Sequence, residues 1–326
     1  MIYPWQKEQW QWFRNMQKTQ RLPHALLLIG ISGIGKLKFA EQMAQALLCT
    51  QNQSTDTQDC HCHSCCLLQG RAHPNVLWVE PEKKGQVIKV DQIREVIDFV
   101  NHSALHAGYR IVIIHTADDM NISAANALLK TLEEPSAETL FILISTQATQ
   151  LPATIRSRCQ RLIFNQPNPN EVLPWLQQAM GEVDIAPELL LKITNGAPLA
   201  ALNSLNENHL QERKILFDVL VQLQKKENNP LSAAVTIQEM ELLQTIDFML
   251  SWLIDLLKLH VGNKKITNQD YAVQLAELKQ NTKLKAPLKL LDILQTTRVQ
   301  LCRGFNLNKQ LVLENIFIQW SHDAIS

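Results

Sequence analysis

Apolar residues follow two rhythms along this chain, and the change between them falls near residue 165. In the first half, short apolar runs alternate with helical stripes. Ala25–Ile29, Asn75–Glu80, Tyr109–Ile114, Leu140–Ile144 and Arg161–Phe164 have the length and composition of strands, and Tyr109–Ile114 that of a central parallel one. Between them apolar positions recur every three or four residues. Trp5, Gln9, Trp12, Phe13 and Met16 share one face; Phe39, Met43, Ala46 and Leu47 share another; Ile93, Val96, Ile97 and Val100 follow Asp91, a candidate cap. Ser123 is expected to open a further helix that Pro135 ends. Strands alternating with helices at this spacing predict a doubly wound α/β layer over residues 1–165.

Gln166-Pro167-Asn168-Pro169 reads as a linker, and beyond it only helical periodicity remains. Residues 166–206 form a small helical unit: Val172, Leu173, Leu176 and Met180, then Leu189, Leu190 and Ile193, then a turn at Asn195-Gly196-Ala197-Pro198. From 207 to 326 the helices lengthen, one carrying Phe248, Trp252, Leu253, Leu256 and Leu257 and the last carrying Leu311, Leu313, Ile316, Phe317 and Trp320. Such stripes are core or subunit contacts, with core the default. The expected fold class is therefore α/β plus all-α.

Composition narrows the function. With 46% hydrophobic and 19% charged residues the chain is an ordinary globular sequence. Thirty-one basic residues balance 31 acidic ones, so long-range attraction to nucleic acid is weak and any DNA contact must be local or shared with partners. No apolar run reaches the roughly 18 residues of a membrane span. The first residues do not resemble a signal peptide, which makes the cytoplasm the expected compartment.

Two stretches carry chemistry. Gly30-Ile31-Ser32-Gly33-Ile34-Gly35-Lys36 spells G-x-x-x-x-G-K between a buried strand and an amphipathic helix, the context in which backbone N–H groups and a lysine cradle phosphates. The next residue should bring a hydroxyl to Mg²⁺, but it is Leu37. The strand ending at Ile114 should close on acidic residues and closes on His115-Thr116 instead; Asp118 and Asp119 follow three and four residues late, placed to solvate or cap what comes next. Gly30, Gly33, Gly35, Lys36 and Leu37 thus make a vestigial nucleotide loop, with ATP or ADP bound weakly or not at all.

The second stretch runs from Cys49 to Cys66. Four of the seven cysteines crowd between Cys60 and Cys66, and Cys62-x-x-Cys65 has the spacing that turns two thiolates toward one Zn²⁺. Cys60 and Cys49 would complete a structural tetrahedron. The single residue between Cys60 and Cys62 leaves His61, His63 and Cys66 as alternative ligands.

Several segments together resemble bacterial clamp-loader AAA+ subunits: Arg21–Leu27, the cysteine module after the phosphate-loop helix, Ala124–Pro135, and Ser157-Arg158-Cys159. Within that family the degraded nucleotide site resembles the delta-prime-type members. The resemblance implies an AAA+ phosphate-loop domain (1–165) with a zinc module at about 49–66, a helical lid (166–206) and a helical oligomerisation collar (207–326). It further implies a five-subunit assembly with gamma/tau-type and delta-type partners that opens a sliding clamp and places it on primed DNA, as part of the DNA polymerase III holoenzyme. Arg158, flanked by Ser157 and Cys159, would then reach into a neighbour's ATP site as an arginine finger. Active members also carry an arginine near a Gly-x-x-Arg turn of the lid, whereas Gly196-Ala197-Pro198-Leu199-Ala200 has none. Two other readings each account for part of the pattern: an active gamma/tau-type ATPase from the glycine loop, and a zinc-dependent DNA-binding module from the cysteines. Residues 49–66 contain no Lys or Arg, which speaks against the latter.

Overall fold

A computed structural model describes residues 2–51, 60–83, 86–101, 108–136, 138–181, 183, 185–206, 209–280, 284–302, 305 and 307–323. It forms two compact units, Met1–Gln178 with Ala197–Ala200, and Ala179–Gly196 with Ala201–Ser326.

In chain order the first unit begins with helix α1 (Lys7–Lys18), strand β1 (Ala25–Ile29), α2 (Lys36–Leu48) and α3 (His63–Gln69). Then come β2 (Val76–Val79), α4 (Val90–Asn101), β3 (Arg110–Ile114), α5 (Ile122–Glu133), β4 (Thr139–Ser145), α6 (Ala153–Arg158) and β5 (Gln160–Ile163). The sheet is wholly parallel in the order β2-β3-β4-β1-β5. All seven residues of the middle strand β4 are buried, as expected for a strand covered on both faces. The period of two divides its neighbours: Leu27, Val112 and Phe141 face α4, α5 and α6 through Ile93, Val96, Leu128 and Leu132, while Leu26, Leu28, Ile111 and Ile113 face α1 and α2 through Phe13, Phe39 and Met43. Each such large side chain contributes roughly 1.5–3 kcal/mol by leaving water.

Two expected helix starts move. Asn121, not Ser123, caps α5, its side chain accepting from the Ala124 N–H at 2.8 Å. Asp91 lies inside the first turn of α4, where an acidic residue suits the helix dipole.

Residues 169–206 fold as α7 (Pro169–Met180), α8 (Pro187–Ile193) and α9 (Pro198–Asn206). The second unit continues with α10 (His209–Gln224), α11 (Pro230–Thr236), α12 (Leu242–His260), α13 (Ala272–Gln280), α14 (Lys285–Cys302) and α15 (Lys309–Asp323). Its core gathers Phe217, Trp252, Leu253, Leu294, Ile316 and Phe317. Leu311, expected on the buried stripe of the last helix, is 62% exposed instead. No helix among the described residues is long and apolar enough to cross a membrane.

Candidate functional site: a closed phosphate loop, a four-thiol cluster and a tethered arginine

The phosphate loop leaves β1 at Gly30 and enters α2 at Lys36. Gly33 (φ +74°) and Gly35 (φ +92°) adopt left-handed backbone, which the turn into the helix requires and side-chain-bearing residues resist. Protein groups already occupy much of this loop. Lys36 Nζ donates to the loop's own Gly30 and Ile31 carbonyls at 2.6 and 2.8 Å. Burial pulls its pKa down to about 8, partly offset by Asp118. Trp5 Nε1 donates to Ile34 O at 3.0 Å, and Gln6 Nε2 to Ile34 O and Gly35 O, both at 3.1 Å. Tyr3 stacks on Trp5 at 4.9 Å, and Trp175 meets both edge-on. From the other side the Leu199 N–H donates to Gly33 O at 2.9 Å. Leu37 lies half-buried against the α1–α2 side of the core and brings no oxygen.

At the end of β3, His115 is held below its ordinary pKa by burial, and its Nδ1 lies 3.7 Å from Glu80. Asp118 turns its carboxylate to the Thr146 N–H (2.6 Å), the Thr146 hydroxyl (2.9 Å) and the Gln147 N–H (3.0 Å), the capping job its late position suggested.

The sulfurs of Cys49, Cys60, Cys62 and Cys65 all lie within 4.8 Å of one another, and all four residues are buried. Cys49 sits at the C-terminal cap of α2, and Cys62 caps α3. The Cys49 sulfur is 3.5 Å from that of Cys60 and 4.0 Å from that of Cys62. A tetrahedral ion with Zn–S bonds of about 2.3 Å needs sulfurs about 3.8 Å apart, so this donor set fits one. His61, His63 and Cys66 are exposed and stand outside the cluster, which resolves the alternatives left by spacing. Burial opposes ionisation of Cys62, yet the N–H groups of Cys65 and Thr50 outweigh it and bring the thiol down to about 5. Burial and neighbouring thiols push Cys65 upward, a crowding that a shared cation relieves.

Arg158 ends α6. Its Nη1 donates to Thr154 O at 2.8 Å and its Nη2 to the Glu133 carboxylate at the end of α5, leaving the side chain one-third exposed. The Ser157 hydroxyl donates to Thr154 O at 3.0 Å. Cys159 is buried in the sheet core beside Leu27 and Ile155, and burial raises its thiol to about 11, so it is packing rather than a nucleophile. Sequence periodicity missed the covering segment at Tyr3, Trp5 and Gln6 and the Glu133 tether; the early tryptophans signalled only packing.

The parallel layer, its glycine loop and the helical unit that follows define a phosphate-loop protein of the AAA+ class. The family described as "DNA polymerase III, delta subunit" matches residues 5–168, and its "C terminal" counterpart matches residues 207–322. A DNA polymerase III subunit delta' from Pseudomonas aeruginosa is 32% identical over 98% of this chain and 97% of its own length. That of Escherichia coli K12 is 30% identical over 98% and 95%. Among solved structures, a DNA polymerase III gamma subunit-related protein of Thermotoga maritima aligns over 96% of this chain and 99% of its own at 20% identity, with a TM-score of 0.42. The chain belongs to the DNA polymerase III delta' family.

Proposed function

We propose that this chain is a non-catalytic subunit of the replicative DNA polymerase III clamp loader, lending Arg158 to ATP bound on a neighbouring gamma/tau-type subunit so that the sliding clamp is loaded on primed DNA. One contrast carries the reading. Ser157-Arg158-Cys159 presents a guanidinium at the end of a short helix, while the chain's own phosphate loop has its lysine turned onto loop carbonyls and Leu37 where a metal-holding hydroxyl belongs. A nucleotide would have to break the Lys36 bonds before the ammonium could reach a phosphate, and with neither Leu37 nor His115 offering an oxygen to Mg²⁺, hydrolysis has no metal anchor. This is why ATP or ADP binds weakly or not at all.

Residues 1–165 serve as the AAA+ domain, 166–206 as the lid and 207–326 as the collar that joins gamma/tau-type and delta-type partners in the cytoplasm. Cys49, Cys60, Cys62 and Cys65 hold one structural zinc, which cross-links the end of α2 to the start of α3. With four protein ligands no position is open for catalysis.

The isolated chain mixed with ATP, Mg²⁺ and primed DNA should show no turnover above background. Added to gamma/tau-type and delta-type subunits with the clamp, it should restore DNA-stimulated ATPase and clamp loading. Magnesium-dependent hydrolysis by the chain alone, lost on Lys36→Ala, would instead make it an active gamma/tau-type ATPase.

A further inference from the structure

Next to the thiol cluster lies a buried polar relay that neither the phosphate loop nor the arginine uses. His73, Ser64 and Asn75 are 7%, 8% and 2% exposed. His73 Nδ1 accepts the Asn75 N–H at 3.0 Å, so the ring proton sits on Nε2. Nε2 is 3.0 Å from Ser64 Oγ, and Ser64 Oγ is 2.8 Å from Leu48 O. With Nε2–H donating to the serine, the serine hydroxyl is left to donate to Leu48 O, and every bond in the chain has one direction.

The two ends of this relay are the two arms of the cluster. Leu48 closes α2 and immediately precedes Cys49; its carbonyl is among those a helix end leaves without an intrahelical partner. Ser64 stands between Cys62 and Cys65 on the turn into α3. The remaining anchor, Asn75, leads into β2 of the sheet. The relay therefore ties the Cys49 arm to the Cys62–Cys65 arm and ties both to the sheet, without itself supplying a ligand atom.

We propose that Ser64 and His73 are positioning residues of the four-thiol metal site, holding its two arms at closed-tetrahedron spacing and so retarding loss of the metal. The inference rests on the zinc reading above. Outer-shell hydrogen bonds of this kind typically change metal affinity by about 10- to 100-fold.

The test uses the full chain purified with its metal. Zinc content is measured, then release to an excess chromogenic chelator is timed at a temperature well below melting. Ser64→Ala and His73→Ala should release zinc about tenfold faster or more. His73→Gln, which keeps an N–H near the Nε2 position, should fall between them and the unmodified chain. Leu128→Ala, a cavity on the opposite face of the sheet, should loosen the fold without speeding release. Release from folded Ser64→Ala at the original rate overturns the proposal, as does equal acceleration by Leu128→Ala. If His73→Ala fails to fold, the smaller Ser64→Ala change decides. Absence of zinc from the unmodified chain is a different result: it removes the metal reading itself.

Discussion

Arg158→Ala should reduce ATP turnover at the neighbouring site it faces by about 10³-fold or more, the low end of what arginine fingers contribute, while leaving this chain folded. The fold is insulated because the Arg158–Glu133 pair is partly exposed on both sides, and pairs of that kind add about 0–1 kcal/mol to stability. The rate is not insulated, since a fixed planar fork aimed at a γ-phosphate acts only in the transition state. Arg158→Lys should fail nearly as badly, because an ammonium has no second donor arm. The tether adds a graded expectation. Thr154 O and Glu133 hold one Nη each and fix the plane of the guanidinium. Freeing it with Glu133→Ala should cost about 10- to 100-fold, the scale of a small misplacement, and nothing further once Arg158 is already alanine. Single-turnover ATP hydrolysis by the reconstituted loader, with assembly checked by gel filtration, reads all three variants. Unchanged turnover in an assembled Arg158→Ala loader would remove the finger reading.

How much of this could be read beforehand follows from the range of the interactions involved. The sheet was legible because runs such as Ala25–Ile29 and Arg110–Ile114 are apolar on both faces, and period alone exposes them. The four thiols were legible because metal-ligand spacing is local in three of the four. Which histidines stayed out was not, since that depends on the turn at Cys62 directing His61 and His63 to solvent. The start of α5 was missed by two residues for a related reason: Ile122 is 78% exposed and does not join the apolar stripe, so periodicity starts counting late. The covering of the phosphate loop joins Trp5 and Gln6 to Ile34 across 28 or 29 residues, and the Glu133 tether spans 25. No periodic pattern encodes contacts of that separation.

The same limit hid a buried charge network in the second unit, where the largest stability effects are expected. Arg213, its side chain only 4% exposed, lies against the Tyr271 and Trp252 rings at 4.6 and 5.6 Å and donates to both oxygens of Asp270 and to Asn268 Oδ1. Asn268 in turn donates to Ser251 Oγ and to Asp255 Oδ2, both at 2.8 Å. Asp255, fully buried on α12, also accepts the Thr267 and Asn268 N–H groups at 2.8 and 2.7 Å and the Lys258 ammonium at 2.8 Å. Removing either end strands a buried partner, so Arg213→Ala and Asp255→Ala should each destabilise this unit by about 3–5 kcal/mol. The carboxylate also sets a pH dependence. Burial pushes its pKa up, but Lys258 and the N–H groups of Asn268 and Thr267 outweigh burial and hold it below the ordinary 3.8. A depressed folded-state pKa means the stabilisation is complete above the unfolded value, about pH 4, and drains away as the pH falls through the folded one. Urea unfolding of the full chain followed by circular dichroism should therefore weaken below pH 4, and Asp255→Asn, already weakened at neutral pH, should lose that part of the acid dependence. Because the reading above gives residues 207–326 the work of holding partners, Arg213→Ala should also lose assembly with the gamma/tau-type subunit. The four-thiol cluster, in the other unit, should keep its metal.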